Sequence, residues 1–262
     1  MEHINFYKYH GAGNDFILIN EYHKKIHFDA DEIHWLCDRH FGVGADGLIS
    51  ILPSAEADFD MKYYNADGHV GSMCGNGGRC AALFAVHQGL SSKEIRFTAS
   101  DGPHAAHVLN AANNGEVLLQ MSDVKTIEFH NDHYFIDTGS PHYISFRENI
   151  DRLDLEREAK PIRWDYRTAG TNVNFVEDKQ GKYIIRTFER GVEAETLACG
   201  TGITAAAIAI AEKNNWQKAT VPLQSSGGKL EVSLEKKGSI YTNIWLKGPA
   251  EKVFEGITEI RR

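Results

Sequence analysis

The sequence predicts an α+β protein built from two pseudo-symmetric lobes, and two observations carry that prediction. A Cys-Gly-x-Gly segment leading into a run of small residues occurs twice, and strand and turn patterns dominate the remainder. The first copy reads YYNADGHVGSMCGNGGRCAALFAV and the second RTFERGVEAETLACGTGITAAAIAIA. Each runs from an aromatic strand through a turn, at Asn65 to Gly68 or at Gly191, to a cysteine where an alanine-rich helix should start. Cys199 stands 125 positions after Cys74, close to half of the 262 residues, so the repeat reads as two lobes with two thiols facing a shared cleft.

Along the chain, INFYKYHGAGNDFILIN gives strand patterns around a glycine turn. DADEIHWLCDRHFG follows as a capped amphipathic helix, with Ile33, Trp35, Leu36 and Cys37 directed to the core. The first cysteine copy comes next. Asn113, Asn114 and Gly115 form the best mid-chain turn and place the lobe crossover near residue 118. GKYIIRTFERG, the second cysteine copy and KLEVSLEKKGSIYTNIWLKG complete the pattern with further strands. The resulting division is 1–118 for the N-terminal lobe and 119–250 for the C-terminal lobe, with a tail of about 251–262 returning to the first.

Composition narrows the function. With 42% hydrophobic and 24% charged residues the chain is an ordinary folded, water-soluble type. A formal net charge of -8 argues against a nucleic-acid partner. No apolar run is long enough to span a bilayer, and Met1 to His10 lacks a signal pattern, which makes the cytoplasm the expected location and excludes a membrane partner. Four cysteines without CxxC or paired Cys/His spacing suggest free thiols and no metal site. Cys37 and Cys80 read as packing residues, because Cys80 lies six positions into the helix that Cys74 opens.

Cys74 and Cys199 are different. A free thiol, with a pKa of about 8.5, is mostly protonated at neutrality. At a helix N-terminus the amide N–H groups and the positive end of the helix dipole stabilise the thiolate and make a base available. The amides of Gly75 and Asn76, and of Gly200 and Thr201, can also hold a substrate carboxylate as charge moves into it from an α-carbon. Glycine beside each cysteine gives the substrate access to the backbone. Inverting a stereocentre needs a base on one face and an acid on the other, and two like thiols supply both.

These motifs resemble the diaminopimelate epimerase family across nearly the whole chain. KYHGAGNDF, GVGADG, YYNADG, MCGNGGRC, NVNF and ERGVEAETLACGTG occur in the family's order and at suitable intervals. The resemblance implies two lobes, each a largely antiparallel sheet or barrel wrapped around a central helix, with the active site in the cleft between them. It implies Cys74 and Cys199 as acid and base, no cofactor such as pyridoxal phosphate, no metal, and diaminopimelate as the small-molecule substrate. Homodimerisation is a further implication. Asn14, Asn65, Asn172, Glu189 and Arg190 would recognise the substrate, Arg190 taking the distal carboxylate and Glu189 an amino group. His142, in GSPHY, would lie near the reacting centre and tune the thiols, which places it with Cys74, Cys199 and Glu189 among the catalytic candidates.

Plainer readings exist for single residues. Asn14 and Asn65 can be turn formers, Glu189 and Arg190 a solvated strand end, and His142 a satisfied loop histidine. The chain also departs from the family where Ser140 precedes Pro141–His142 and where Gly47 replaces a glutamine of some members. Competing functions are a proline or hydroxyproline racemase on the same plan, a noncatalytic binding protein, and a redox sensor pairing the two cysteines.

Overall fold

A computed structural model describes residues 2–71, 73–165 and 169–260. The chain divides into two compact units: one runs to Leu119 and resumes at Gly248, and the other is Gln120–Lys247.

In the first unit β1 (Glu2–Gly11) and β2 (Asn14–Asn20) form a hairpin. Its two turn residues, Ala12 and Gly13, have φ of 53° and 85°, the paired left-handed conformation that matches strand twist. Helix α1 (Ala30–Cys37) starts at Asp29, whose carboxylate accepts from the Glu32 amide while the Glu32 carboxylate accepts from the Asp29 amide. Then come β3 (Gly47–Leu52), β4 (Phe59–Asn65), α2 (Gly75–His87), β5 (Glu94–Ala99), β6 (Gly102–Asn110) and β7 (Asn114–Gln120). From residue 248 onward the chain's last strand pairs with β7 and with β1, and so closes eight strands into a barrel. The hairpin turn between β6 and β7 is at residues 111–113. Asn114 and Gly115 belong to β7, held there by pairing with Glu251 and Ala250, so long-range pairing overrides their turn preference.

The second unit contains β8 (Ile127–His130), β9 (His133–Asp137), β10 (Pro141–Phe146), a 3-10 turn at Ile150–Arg152 and α3 (Leu155–Asp165). It continues through β11 (Asn172–Lys179), β12 (Lys182–Glu189), β13 (Ala194–Thr196), α4 (Gly200–Lys213), β14 (Lys218–Ser225) and β15 (Gly228–Lys237) into β16 (Ile240–Ile260), whose first residues complete it. The ladders repeat those of the first unit in sense and order. Along β1 to β7 the pairings are antiparallel, parallel, antiparallel, parallel, antiparallel and antiparallel. Along β9, β10, β11, β12, β14, β15 and β16 the same series recurs.

Each unit wraps its strands around one helix. Residues 75–85 of α2 are buried on every face, as are residues 202–211 of α4, which explains their glycine and alanine content: a helix inside a barrel has no solvent side for polar residues. Phe84 fills the space beside α2 and meets the rings of Tyr7 and Tyr9 edge-on at 5.1 and 5.8 Å. The outer strand face is covered by α1, where Ile33, Leu36 and Cys37 pack on Ile4, Phe6 and Ile17. Trp35, expected in the core, is only half-buried, because it lies off the stripe that faces the strands. Among the described residues no helix is long and apolar enough to cross a membrane.

Candidate active site

The repeated ladder brings the same positions to one end of the sheet in each unit. In the first unit the parallel pair β2/β3 starts at Asn14 and Gly47, and the antiparallel register sets Gly47 opposite Asn65 at the end of β4. In the second unit the parallel pair β10/β11 sets His142 opposite Asn172, and β12 ends beside them at Glu189. Strand starts, strand ends and the start of the enclosed helix therefore converge within each unit.

Cys74 and Cys199 are the N-cap residues of α2 and α4, both extended, with φ/ψ of -102°/125° and -112°/110°. Each carbonyl accepts the first helical bond, from Gly78 at 2.7 Å and from Ile203 at 2.8 Å. The next amides, of residues 75–77 and 200–202, have no acceptor inside their helices. A serine or aspartate at either position would fold back on those amides, whereas neither sulfur makes a capping bond. An anion at either helix start would meet the positive end of the helix dipole. Cys37 and Cys80 are buried, and burial pushes the Cys37 thiol up to about 12 and raises that of Cys80 further.

Around Cys74 lies a chain of amides. Its sulfur is 3.5 Å from Asn14 Oδ1, which also accepts from Asn76 Nδ2 at 3.2 Å. Asn14 Nδ2 donates to Asp46 Oδ2 at 2.7 Å, and Arg79 Nη2 donates to Asn76 Oδ1 at 2.8 Å. Arg79 is fully buried, and its other bonds run to the carbonyls of Gly75 and Pro249. Asp46 is held in turn by Arg39, which also grips Asp15 with both amino groups. Burial opposes ionisation of Asp15, but hydrogen bonds and charge from Arg39 and Lys8 hold its carboxyl down at about 2. Asn65 is exposed at the end of β4, where its backbone pairs with His69 and closes the turn to Gly68.

Around Cys199 the partners are different. Its sulfur is 3.4 Å from Thr201 Oγ1, and that hydroxyl is 2.9 Å from His142 Nε2. His142 Nδ1 lies 3.1 Å from Asn174 Nδ2, whose other contact is the Tyr143 carbonyl at 2.9 Å, and Thr187 donates to Asn174 Oδ1 at 2.9 Å. Burial, together with the charge of Arg190, pushes the His142 imidazole down to about 3 against a smaller opposing effect of Asn174, so it is neutral at physiological pH. Glu189 Oε2 accepts from Thr196 Oγ1 at 2.9 Å.

Asn172 is buried and committed to the scaffold. It donates to Ser140 Oγ and to the Pro141 carbonyl, both at 2.9 Å, and accepts from the Arg190 amide at 2.9 Å. Ser140 therefore meets an asparagine of its own unit, and Asn172 fixes the backbone that carries Arg190. The turn beyond Arg190 is tied by Glu193, which accepts from Arg163 and from the Gly191 amide. At Gly47 a side chain has no room: a Cβ would sit 2.6 Å from the Tyr63 ring and 2.5 Å from the Tyr64 carbonyl.

Sequence reasoning passed over Asp46, Arg79, Asn174 and Thr187. Signals existed for two of them. Arg79 is a charged residue in an otherwise small, apolar helix, and Asn174 follows Asn172 at the strand period of two and so shares its face. Among the described residues no group of three or more His, Cys, Asp or Glu could hold a metal ion.

Comparison with solved structures gives the class by fold. A phenazine biosynthesis protein of the PhzF family from Bacillus anthracis is similar with a TM-score of 0.76 at 15% identity, covering 99% of this chain and 100% of that one. A hydroxyproline epimerase from Agrobacterium vitis, with bound trans-4-hydroxy-L-proline, gives 0.68 at 15% identity, covering 98% and 92%. Sequence comparison is more specific. The family model described as diaminopimelate epimerase matches residues 6–127 and 134–253. Proteins named diaminopimelate epimerase from Flavobacterium psychrophilum and Chlorobaculum tepidum are 44% and 39% identical, covering 96% and 94% of this chain and 99% and 98% of their own lengths. This chain belongs to the diaminopimelate epimerase family.

Proposed function

We propose that the protein interconverts LL- and meso-2,6-diaminopimelate by moving protons between carbon and two cysteines, without a cofactor. The observation that carries this reading is the pair of cysteines at the N-caps of α2 and α4, neither of whose sulfurs makes a capping bond. A thiolate at one helix start removes the α-proton and becomes a thiol. The amides of Gly75 and Asn76, and of Gly200 and Thr201, stabilise charge developing in the α-carboxylate. The thiol of the other cysteine then delivers its proton to the opposite face and becomes a thiolate. The substrate gains and loses one proton, its configuration is inverted, and the two sulfurs have exchanged states.

Distal recognition follows from residue chemistry. Arg190 takes the second carboxylate with its planar fork, Glu189 takes an ammonium, and Asn14 and Asn65 supply amide contacts. Asn172 serves by holding the Arg190 backbone and Ser140. A site with both an arginine and an acidic residue at the end of β12 suits an amino acid carrying a second amino-acid end, which favours diaminopimelate over proline. We also expect a cytoplasmic homodimer, for which light scattering should give twice the chain mass. The functional test is turnover of LL-diaminopimelate beside L-proline and hydroxyproline. Inversion of diaminopimelate alone is expected, and inversion of proline alone would replace this reading with the racemase one.

A further inference from the structure

We propose that the two helix-start cysteines rest in opposite protonation states set by oppositely directed hydrogen-bond chains: Cys199 as thiolate facing the Thr201 hydroxyl proton, Cys74 as thiol facing the Asn14 carboxamide oxygen. This deepens the two-thiol reading above and rests on it for its consequence in turnover, but the chains themselves are features of each unit alone.

The direction of each chain is fixed at its ends by groups that can act in one sense only. In the second unit the Tyr143 carbonyl can only accept, so the group facing it at 2.9 Å is the Asn174 NH2, and the Thr187 hydroxyl donates to the Asn174 oxygen. The second Asn174 proton then points at His142 Nδ1, which must accept. A neutral imidazole that accepts at Nδ1 carries its proton on Nε2 and donates it to Thr201 Oγ1. With that oxygen already accepting, the Thr201 proton is available to the Cys199 sulfur at 3.4 Å. A sulfur opposite a committed donor is favoured as an anion. Thr138 adds to the arrangement by donating to the Thr201 carbonyl at 2.9 Å, which pins the first turn of α4.

In the first unit the end groups have the reverse effect. Arg79 can only donate, so Asn76 presents its oxygen to Arg79 and its NH2 to Asn14. Asp46, bonded by Arg39, can only accept, so Asn14 presents its NH2 to Asp46. Both constraints turn Asn14 Oδ1 toward Cys74, where a thiol has an acceptor for its proton and a thiolate would oppose a second lone-pair group at 3.5 Å. Arg79 is the charged group that acts on Cys74 from its own helix, and its positive charge favours the thiolate. We assign that charge to the other half of the cycle: after each turnover the Cys74 sulfur holds the negative charge, and Arg79 limits the cost of that state. In the second unit burial, and after it the charge of Arg190, keeps the His142 imidazole neutral, which preserves the direction of the chain.

His142, Asn174 and Thr187 are positioning residues in this account, since they reach the sulfur through Thr201. The test reads each thiol directly and needs no substrate. Reduced wild-type protein is alkylated with iodoacetamide from pH 5 to 9, and the rate at each cysteine is followed by mass spectrometry, so that the midpoint of each profile is compared and not the absolute rate. Cys199 is expected to titrate at least one pH unit below Cys74. Thiolate absorbance near 240 nm, titrated in Cys74→Ser and Cys199→Ser, should give the same order, and the high values of Cys37 and Cys80 keep them silent in this range. Thr201→Val should raise the Cys199 midpoint by about one unit or more while leaving Cys74 in place, Thr201→Ser should restore it, and Thr187→Val should raise it by less. Equal midpoints, the reverse order, or a Cys199 midpoint indifferent to Thr201→Val would overturn the proposal. Ordered midpoints in a protein that fails to invert diaminopimelate would instead sink the functional reading and leave the polarity standing.

Discussion

CGNGGR opens α2 and CGTGIT opens α4, and the backbone does the same thing at both. Each cysteine caps a helix that the strands of its own unit wrap, each carbonyl takes the first helical bond, and neither sulfur makes a capping bond. The side chains diverge at three positions. Asn76 answers to Thr201, Gly78 to Ile203, and the buried cation Arg79 to Thr204, whose hydroxyl merely bonds back to the Gly200 carbonyl at 2.9 Å. A duplicated backbone therefore supplies two equivalent thiol positions, while unequal polar neighbours distinguish them. An epimerase needs both properties, because its acid and base must be alike in reach and unlike in proton content.

Removing either thiol tests the equivalence most severely. Cys74→Ala and Cys199→Ala should each lower kcat for epimerisation by about 10³-fold or more, measured by chiral separation of the products. A variant that retains full inversion would show that one sulfur suffices.

The third divergent position tests the inequality through stability. Arg79→Met leaves Asn76 Oδ1 and the Gly75 and Pro249 carbonyls without their donor, and should cost about 3 kcal/mol in denaturant unfolding. Thr204→Val should cost about 1 kcal/mol, since only one bond to a helical carbonyl is lost. Equal losses would mean that Arg79 carries no special burden.

The two third-position glycines sharpen the contrast further. A Cβ at Gly202 would lie 2.6 Å from Asn174 Oδ1 and 3.3 Å from His142 Cε1, so Gly202→Ala displaces the chain that ends at Cys199. The expected loss in kcat is about 10²-fold. A Cβ at Gly77 meets the mobile end of Ile49 at 3.0 Å, and Gly77→Ala should lose no more than about threefold, a loss still compatible with helix propensity gained. Kinetics on both variants with matched circular dichroism would decide.

Acid affects the two units in different windows. Folded His142 binds its proton at about 3 instead of 6.5, so from pH 6.5 downward the unfolded chain takes up a proton that the folded one refuses. Stability from this source is complete above pH 6.5 and declines by up to about 1.4 kcal/mol per pH unit as the pH falls toward 3. Asp15 has the same sign between 3.8 and about 2. His142→Gln should flatten the upper window only, as read from denaturant midpoints between pH 4 and 7.

Much of this comparison was legible in the residues. The repeated cysteine segments carry a local signature, because a helix sealed inside a barrel must be small-sided and a helix-start cysteine needs glycine beside it. The capping box at Asp29 and Glu32 and the left-handed Ala12–Gly13 turn are local too. Parallel pairing of β2 with β3 and of β10 with β11 has no such signature, since it joins strands separated by a helix. Asn114 and Gly115 misled for the same reason, being held in a strand by partners far along the chain. Asp46, Asn174 and Thr187 were missed because a hydrogen-bond chain depends on which ends of which strands adjoin, and only the register shows that.

The central claim is most directly tested by incubating purified protein, without added cofactor, with LL-diaminopimelate in heavy water and following the α-carbon by NMR. The account predicts that inverted product carries deuterium at the inverted centre from the first turnovers, because the proton removed and the proton returned reside on different sulfurs. Inversion that retains the original hydrogen, or no inversion and no exchange, would contradict it.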